Sequence, residues 1–154
     1  MPQFNSAYTA LVVRAQGAST TGYPTATEVQ RERRMARDSY TTTGGEVNND
    51  TILFKLNLPV GSIVNIEDCR LTFGAAGTFS ASVTLQRVRA GTATSLSTAL
   101  ATTSAAVGVF ARAAITPQTP SIAGDTFQLL ITPFTSATIG KVIGLELAYD
   151  APLL

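Results

Sequence analysis

Residues 49–73 read Asn49-Asp50-Thr51-Ile52-Leu53-Phe54-Lys55-Leu56-Asn57-Leu58-Pro59-Val60-Gly61-Ser62-Ile63-Val64-Asn65-Ile66-Glu67-Asp68-Cys69-Arg70-Leu71-Thr72-Phe73. Ile52, Phe54, Leu56 and Leu58 alternate with Leu53, Lys55 and Asn57. A period of two places four large apolar side chains on one face of a β-strand. Pro59 ends that strand because it has no N–H for a ladder, and Gly61 permits the turn after it. A second apolar run follows at Ile63, Val64 and Ile66. Val64 and Ile66 share one parity, whereas Cys69, Leu71 and Phe73 share the other. One residue is therefore extra, and a bulge or tight corner is expected at Glu67-Asp68.

The same reading continues downstream. Gly74–Gly77 is a turn. Phe79, Ala81, Val83 and Leu85 form an inward face opposed by Ser80, Ser82, Thr84 and Gln86. Thr126–Thr132 alternates through Phe127, Leu129 and Ile131, and Lys141–Asp150 through Ile143, Leu145, Leu147 and Tyr149. Val107–Ile115 is a further strand, closed by Thr116-Pro117 and Thr119-Pro120. Within the Ala/Thr/Ser-rich stretch Arg89–Ala106, Leu96 and Leu100 are spaced to anchor one or two helical turns. Short strands separated by turns predict an all-β protein, an antiparallel β-sandwich of about seven or eight strands over residues 50–149.

Upstream the pattern changes. Ala7–Ala15 reads as a strand and Gln16–Tyr23 as a loop. Thr25–Tyr40 is the one helix candidate, with Thr25 and Glu28 at capping-box spacing and a run of strong helix formers behind them. Its apolar face is thin: Val29, Met35 and Ala36. Thr41–Asn49, with its Gly-Gly and Asn-Asn pairs, reads as a linker. The expected organisation is an extended N-terminal arm, residues 1–49, containing one short helix, followed by a β-sandwich domain, residues 50–154. A helix with so little to bury predicts that the arm touches other chains more than its own domain.

Composition narrows the chemistry. The chain has 154 residues, 45% of them hydrophobic, and carries a net charge of +1. Only 14% are charged, against about 25% in an average soluble protein, which favours a chain held against a partner. No histidine is present, which rules out Ser-His-Asp and Cys-His catalysis and histidine-ligated metals. Cys69 is the single cysteine and reads as a small buried hydrophobe. Neither a calcium loop nor a phosphate loop is found. No enzyme activity, metal or cofactor is expected. No apolar run reaches the roughly 20 residues that span a bilayer. The first residues do not read as a signal peptide, so synthesis in the cytosol without export by the usual route is expected.

The chemistry that remains is cationic. Arg31, Arg33, Arg34 and Arg37 stand among Glu28, Glu32 and Asp38, so residues 28–38 sum to +1. Mixed signs argue against a phosphate-binding surface and hence against nucleic acid. Two readings stay open: a solvated helix, or an arginine-bearing helix whose guanidinium forks meet carboxylates on a protein partner. Arg31, Arg33, Arg34, Arg37, Tyr23 and Tyr40 are the candidate contact residues.

Leu58–Val64 follows the Asn49-Asp50 pair and an alternating strand. Near the end, Gly124-Asp125-Thr126-Phe127-Gln128-Leu129-Leu130-Ile131 precedes Lys141-Val142-Ile143-Gly144-Leu145-Glu146-Leu147-Ala148-Tyr149. Together these segments resemble the capsid decoration, or cement, proteins of tailed bacteriophages, of jelly-roll type. The resemblance covers about residues 50–149 and rests on short motifs. It implies a jelly-roll-like antiparallel β-sandwich and a structural virion protein on the capsid exterior. It further implies the major capsid protein as partner, bridging of neighbouring capsid subunits, a homotrimer, and no membrane or nucleic-acid partner. The same pattern also occurs in carbohydrate-binding jelly rolls of fibres and adhesins, which is the alternative. A carbohydrate site wants exposed aromatic rings, whereas this chain has no Trp and its Phe residues sit mostly on inward parity.

Overall fold

A computed structural model of the chain describes residues 31–74, 76–102, 107–111 and 119–153. Ten strands follow in order: β1 Arg31–Thr41, β2 Thr51–Phe54, β3 Ile63–Val64, β4 Arg70–Gly74, β5 Phe79–Arg89, β6 Thr92–Ser95, β7 Leu100–Ala101, β8 Val107–Val109, β9 Thr126–Ala137 and β10 Val142–Pro152. They form two antiparallel sheets. Sheet A has the order β1-β10-β4-β8, with β3 also paired to β10. Sheet B has the order β2-β9-β5-β6, with β7 also on β5.

β3 and β4 lie along one side of β10, at Tyr149-Asp150 and at Val142–Glu146 respectively, so they act as one interrupted strand. β6 and β7 likewise share β5. Eight effective strands then stand in the orders 1-8-3-6 and 2-7-4-5. That is the jelly-roll arrangement: two Greek keys folded into facing sheets.

The alternation read from the sequence builds the core. Phe54, Leu56, Val83, Leu85, Phe127, Leu129, Leu145 and Leu147 are all buried, none more than 4% exposed. The expected corner is present as a single turn of 3-10 helix, Ile66–Asp68, between β3 and β4. It lets Ile66, Cys69 and Leu71 all be fully buried despite their mixed parity. The Cys69 thiol donates to the Asn65 carbonyl at 3.2 Å and its sulfur accepts from the Ala148 N–H at 3.3 Å. Burial pushes its pKa up to about 12, so it stays a thiol.

Three expectations are corrected. First, the described part of the Thr25–Tyr40 helix, from Arg31 on, is strand β1. Its side chains show period two, with Ala36, Asp38 and Tyr40 half-buried and Arg37, Ser39 and Thr41 exposed between them. Ala36 and Tyr40 pack on the core, and a jelly roll needs a first strand beside the last. Tertiary pairing overrides helix propensity here. Second, Thr41–Asn49 is not a free linker. Thr42 N–H donates to the Lys141 carbonyl and the Thr42 carbonyl accepts from Gly140 N–H, both at 2.9 Å. Asn49 N–H donates to the Ile131 carbonyl at 2.8 Å. Residues 33–49 accordingly belong with the sandwich, and Arg33–Ala151 form one unit. Within this chain they are tied to the sandwich and are not a separate arm. Third, Leu96 and Leu100 anchor no helical turn: Leu100 opens β7, and Leu96 N–H bonds to the Leu85 carbonyl.

Of the expected Val107–Ile115 strand, Val107–Val109 is strand, and residues 112–118 lie outside the described residues. So do Ala7–Ala15, Gln16–Tyr23 and residues 25–30.

Candidate interaction surface

β1 is an edge strand of sheet A, so its candidate residues fall on two faces. Ala36, Asp38 and Tyr40 point toward the second sheet, and Arg33, Met35 and Arg37 point away from it. Asp38 uses its carboxylate to accept the Lys55 backbone N–H at 2.7 Å, tying the β1 edge of one sheet to the β2 side of the other. At the opposite side Thr98 N–H donates to the Ala111 carbonyl at 2.9 Å. There Gly108 lets Leu100 approach so closely that a Cβ on it would lie 2.6 Å from Leu100 Cδ2.

On the outer face of sheet A, Arg33 Nε donates to Asp150 Oδ1 at 2.8 Å and Arg33 Nη1 pairs with Asp68. Arg37 Nε meets Glu146 Oε1 at 3.1 Å. Four residues forward on β1 match four backward on β10, as an antiparallel pair requires. Arg70 on β4 stands in register with Glu146. The Asp150 hydrogen bond is the main reason the Arg33 guanidinium titrates above its usual range. Arg33 and Arg37 are 56% and 69% exposed at the side chain, so these pairs add little stability. Arg33 thus spans two carboxylates, and Arg37 meets one carboxylate and, through Nη2, Met35 Sδ at 3.7 Å.

The other candidates separate. Arg34 has the opposite parity to Arg33 and Arg37, and Arg31 opens β1. Tyr40 is turned inward, where its hydroxyl donates to Glu46 Oε1 at 2.6 Å. Tyr23 lies outside the described residues. The structure therefore brings together Arg33 and Arg37, and adds Arg70, Asp68, Glu146 and Asp150. Sequence reasoning missed these four because a helix would have paired Arg34 with Asp38, whereas a strand pairs across to β10.

Glu46 organises the turn after β1. Its carboxylate accepts from Tyr40 OH, from Thr43 N–H at 2.6 Å and from Gly44 N–H at 2.9 Å. Burial alone would raise its pKa, but these donors outweigh burial and hold it at about 2.

The segments that carry the family resemblance have structural work to do. In the Leu58–Val64 corner, the Ser121 hydroxyl donates to the Pro59 carbonyl at 2.7 Å and accepts from Ser62 N–H at 2.9 Å. Gly61 N–H donates to the Ser121 carbonyl at 2.7 Å. In the Gly124-Asp125 segment, Gly124 has φ +87°. Asp125 accepts from Ile122 N–H at 2.9 Å and binds Arg89 through both oxygens, at 2.8 and 2.7 Å. The Arg89 hydrogen bonds come first in lowering the Asp125 pKa.

The two outer faces differ sharply. The strands of sheet B hold two charged residues, Arg87 and Arg89, both on the inward parity near one end. The outer face of sheet B is uncharged along its described strands. Among the described residues, no group of three His, Cys, Asp or Glu could hold a metal ion. No described helix is long and apolar enough to cross a membrane.

No family model matches the chain, and no curated protein matches it. Among solved structures, a chain of the "Cyanophage Pam1 capsid asymmetric unit" is similar with a TM-score of 0.43 and 18% identity, over 99% of this chain and 100% of that one. A likeness that distant supports neither a fold nor a function for this chain.

Proposed function

We propose that this chain is a structural, non-enzymatic virion protein. It binds the outer surface of a phage head and stabilises it by bridging neighbouring subunits of the major capsid protein. The observation that carries the reading is the sequence resemblance over residues 50–149. Its support from the structure is that both resembling segments are built into a jelly roll, the Pro59–Ser62 corner fastened by Ser121 and the Gly124-Asp125 turn by Arg89. The outer face of sheet A supplies the contact, with the exposed Arg33 and Arg37 guanidinium groups facing capsid carboxylates and Arg31 and Arg34 adding charge on the same strand. Tyr40, half-buried with its hydroxyl on Glu46, contributes less to it. A homotrimer is what the resemblance implies for the assembled form. Binding only the assembled shell stabilises it by mass action.

The carbohydrate-binding alternative draws no support from the described aromatic residues. Every described Phe and Tyr is buried or half-buried, and a carbohydrate site wants exposed rings.

Co-sedimentation with empty heads that lack the protein tests the reading. The wild type should pellet with heads and saturate at a fixed ratio. Arg33→Ala with Arg37→Ala should weaken binding about tenfold while leaving the melting temperature within a few degrees. A wild type that stays in the supernatant at every concentration contradicts the proposal.

A further inference from the structure

We propose that Arg87, at the end of sheet B beside the Arg89–Asp125 pair, binds an oxyanion from solution, a carboxylate or a phosphate, in the fork formed by its Nε and Nη2. The inference goes beyond the proposed function and does not depend on it.

Arg87 and Arg89 lie two residues apart on β5, so their side chains leave the strand on the same, inward face. Register places the buried Phe127 beside Arg87 on β9, and Thr94 beside it on β6. The carboxylate that acts on Arg87 is Asp125, and it is committed to Arg89. Asp125 accepts from Arg89 Nε at 2.8 Å and from Nη2 at 2.7 Å, which fills the side-on fork of that guanidinium with both oxygens. Arg87 makes one hydrogen bond among the described residues, from Nη1 to the Thr119 carbonyl at 3.0 Å. That contact is exposed, so solvent reaches the guanidinium. Its Nε is buried and has no acceptor. The two arginines carry the same fork on the same face of one strand, and this chain fills one of them.

A buried donor without an acceptor is costly, and more so when it belongs to a cation. Burial first, then the neighbouring Arg89 charge, lowers the Arg87 pKa from its usual value, and Asp125 offsets this only in part. Arginine nevertheless keeps its proton at neutral pH, so the charge needs a counter-ion. The adjoining chain supplies none. No Asp or Glu occurs between Asp68 and Asp125, a stretch that holds Arg70, Arg87, Arg89 and Arg112. The loop ahead of Asp125 meets the two arginines with backbone carbonyls, Thr119 to Arg87 and Pro120 to Arg89 at 2.9 Å. Two arginines and one aspartate leave +1 at this end of the sheet. Carboxylate and phosphate oxygens match the side-on fork in both spacing and charge. A neutral ligand matches neither the charge nor the need for it.

Nuclear magnetic resonance of the 15N-labelled full chain reads the site, because buried N–H groups exchange slowly. Sodium acetate and sodium phosphate are titrated separately to about 50 mM at constant ionic strength, with sodium chloride as the balance. The Arg87 Nε–H resonance should shift with at least one of them and level off in the millimolar range, while that of Arg89 stays nearly in place. A shift with acetate alone assigns the site to carboxylates, with phosphate alone to phosphates, and with both to either. The melting temperature should rise by a few degrees over the same titration and level off. That measurement decides if exchange broadens the resonance. Arg87→Gln, which loses charge and fork, should lose the saturable rise. Arg87→Lys, which keeps the charge without the fork, should lose most of it. Arg70→Gln on the other sheet should respond like the wild type. An Arg87 resonance that neither anion shifts overturns the inference. So does a rise in melting temperature that Arg87→Gln shares in full, since that is the general effect of the salt. Neither result bears on capsid binding, which co-sedimentation reads.

Discussion

Asp125 shows how one side chain can tie a loop to the end of a strand. Its side chain is 3% exposed, and it holds Arg89 and the Ile122 N–H together. Asp125→Asn keeps the shape but leaves the Arg89 guanidinium without its counter-charge. The variant should unfold at a lower urea concentration than the wild type. Glu46 makes a prediction that depends on pH. Its folded pKa, about 2, lies below the ordinary value of 4.5. Its stabilising effect is therefore complete above about pH 4.5 and is lost as the pH falls toward 2. Glu46→Gln should lower stability at pH 7 by ~1–3 kcal/mol and flatten the loss between pH 4.5 and 2. Equal acid sensitivity in the two proteins would mean that the carboxylate is not ionised against its donors. Neither role was legible in the sequence. Glu46 stood in a Gly-rich run that reads as linker, and its donor Tyr40 was assigned to a helix.

At the scale of elements, the strands with clean alternation were legible and those governed by their neighbours were not. Phe79–Leu85 and Phe127–Ile131 bury their odd-numbered side chains as the pattern demands. Leu85→Ala should cost ~2–5 kcal/mol in chemical denaturation, because Leu85 is fully buried. A cost near zero would place that face at the surface. β1 fails as a sequence prediction for a physical reason. Arginine, glutamate, methionine and alanine are good helix formers, and its inward residues are only Ala36, Asp38 and Tyr40. Pairing with β10 decides its state, and that partner lies more than a hundred residues away in sequence. Deleting residues 1–48 removes β1 together with the Glu46 turn. The remaining chain should aggregate or melt well below the wild type, instead of persisting as a folded domain. A truncated protein with an unchanged melting temperature would contradict the placement of β1 in the sheet.

For the whole molecule, the all-β class and the corner at Glu67-Asp68 could be read from the sequence. The order of the strands could not, since periodicity reports which side of a strand is buried and not which strand lies beside it. The candidate surface was legible in part: Arg33 and Arg37 were singled out, but their partners Asp68, Glu146 and Asp150 depend on topology. The uncharged face of sheet B escaped notice because Thr, Ser and Gln read as solvated positions one strand at a time. The proposed function turns the charged outer face of sheet A toward a shell. Its central claim is that the protein stabilises an assembled head. Calorimetry of empty heads, with increasing amounts of the purified protein, tests that claim most directly. The temperature at which heads come apart should rise with protein concentration and level off once sites are filled. An unchanged disruption temperature at saturating protein would contradict the account.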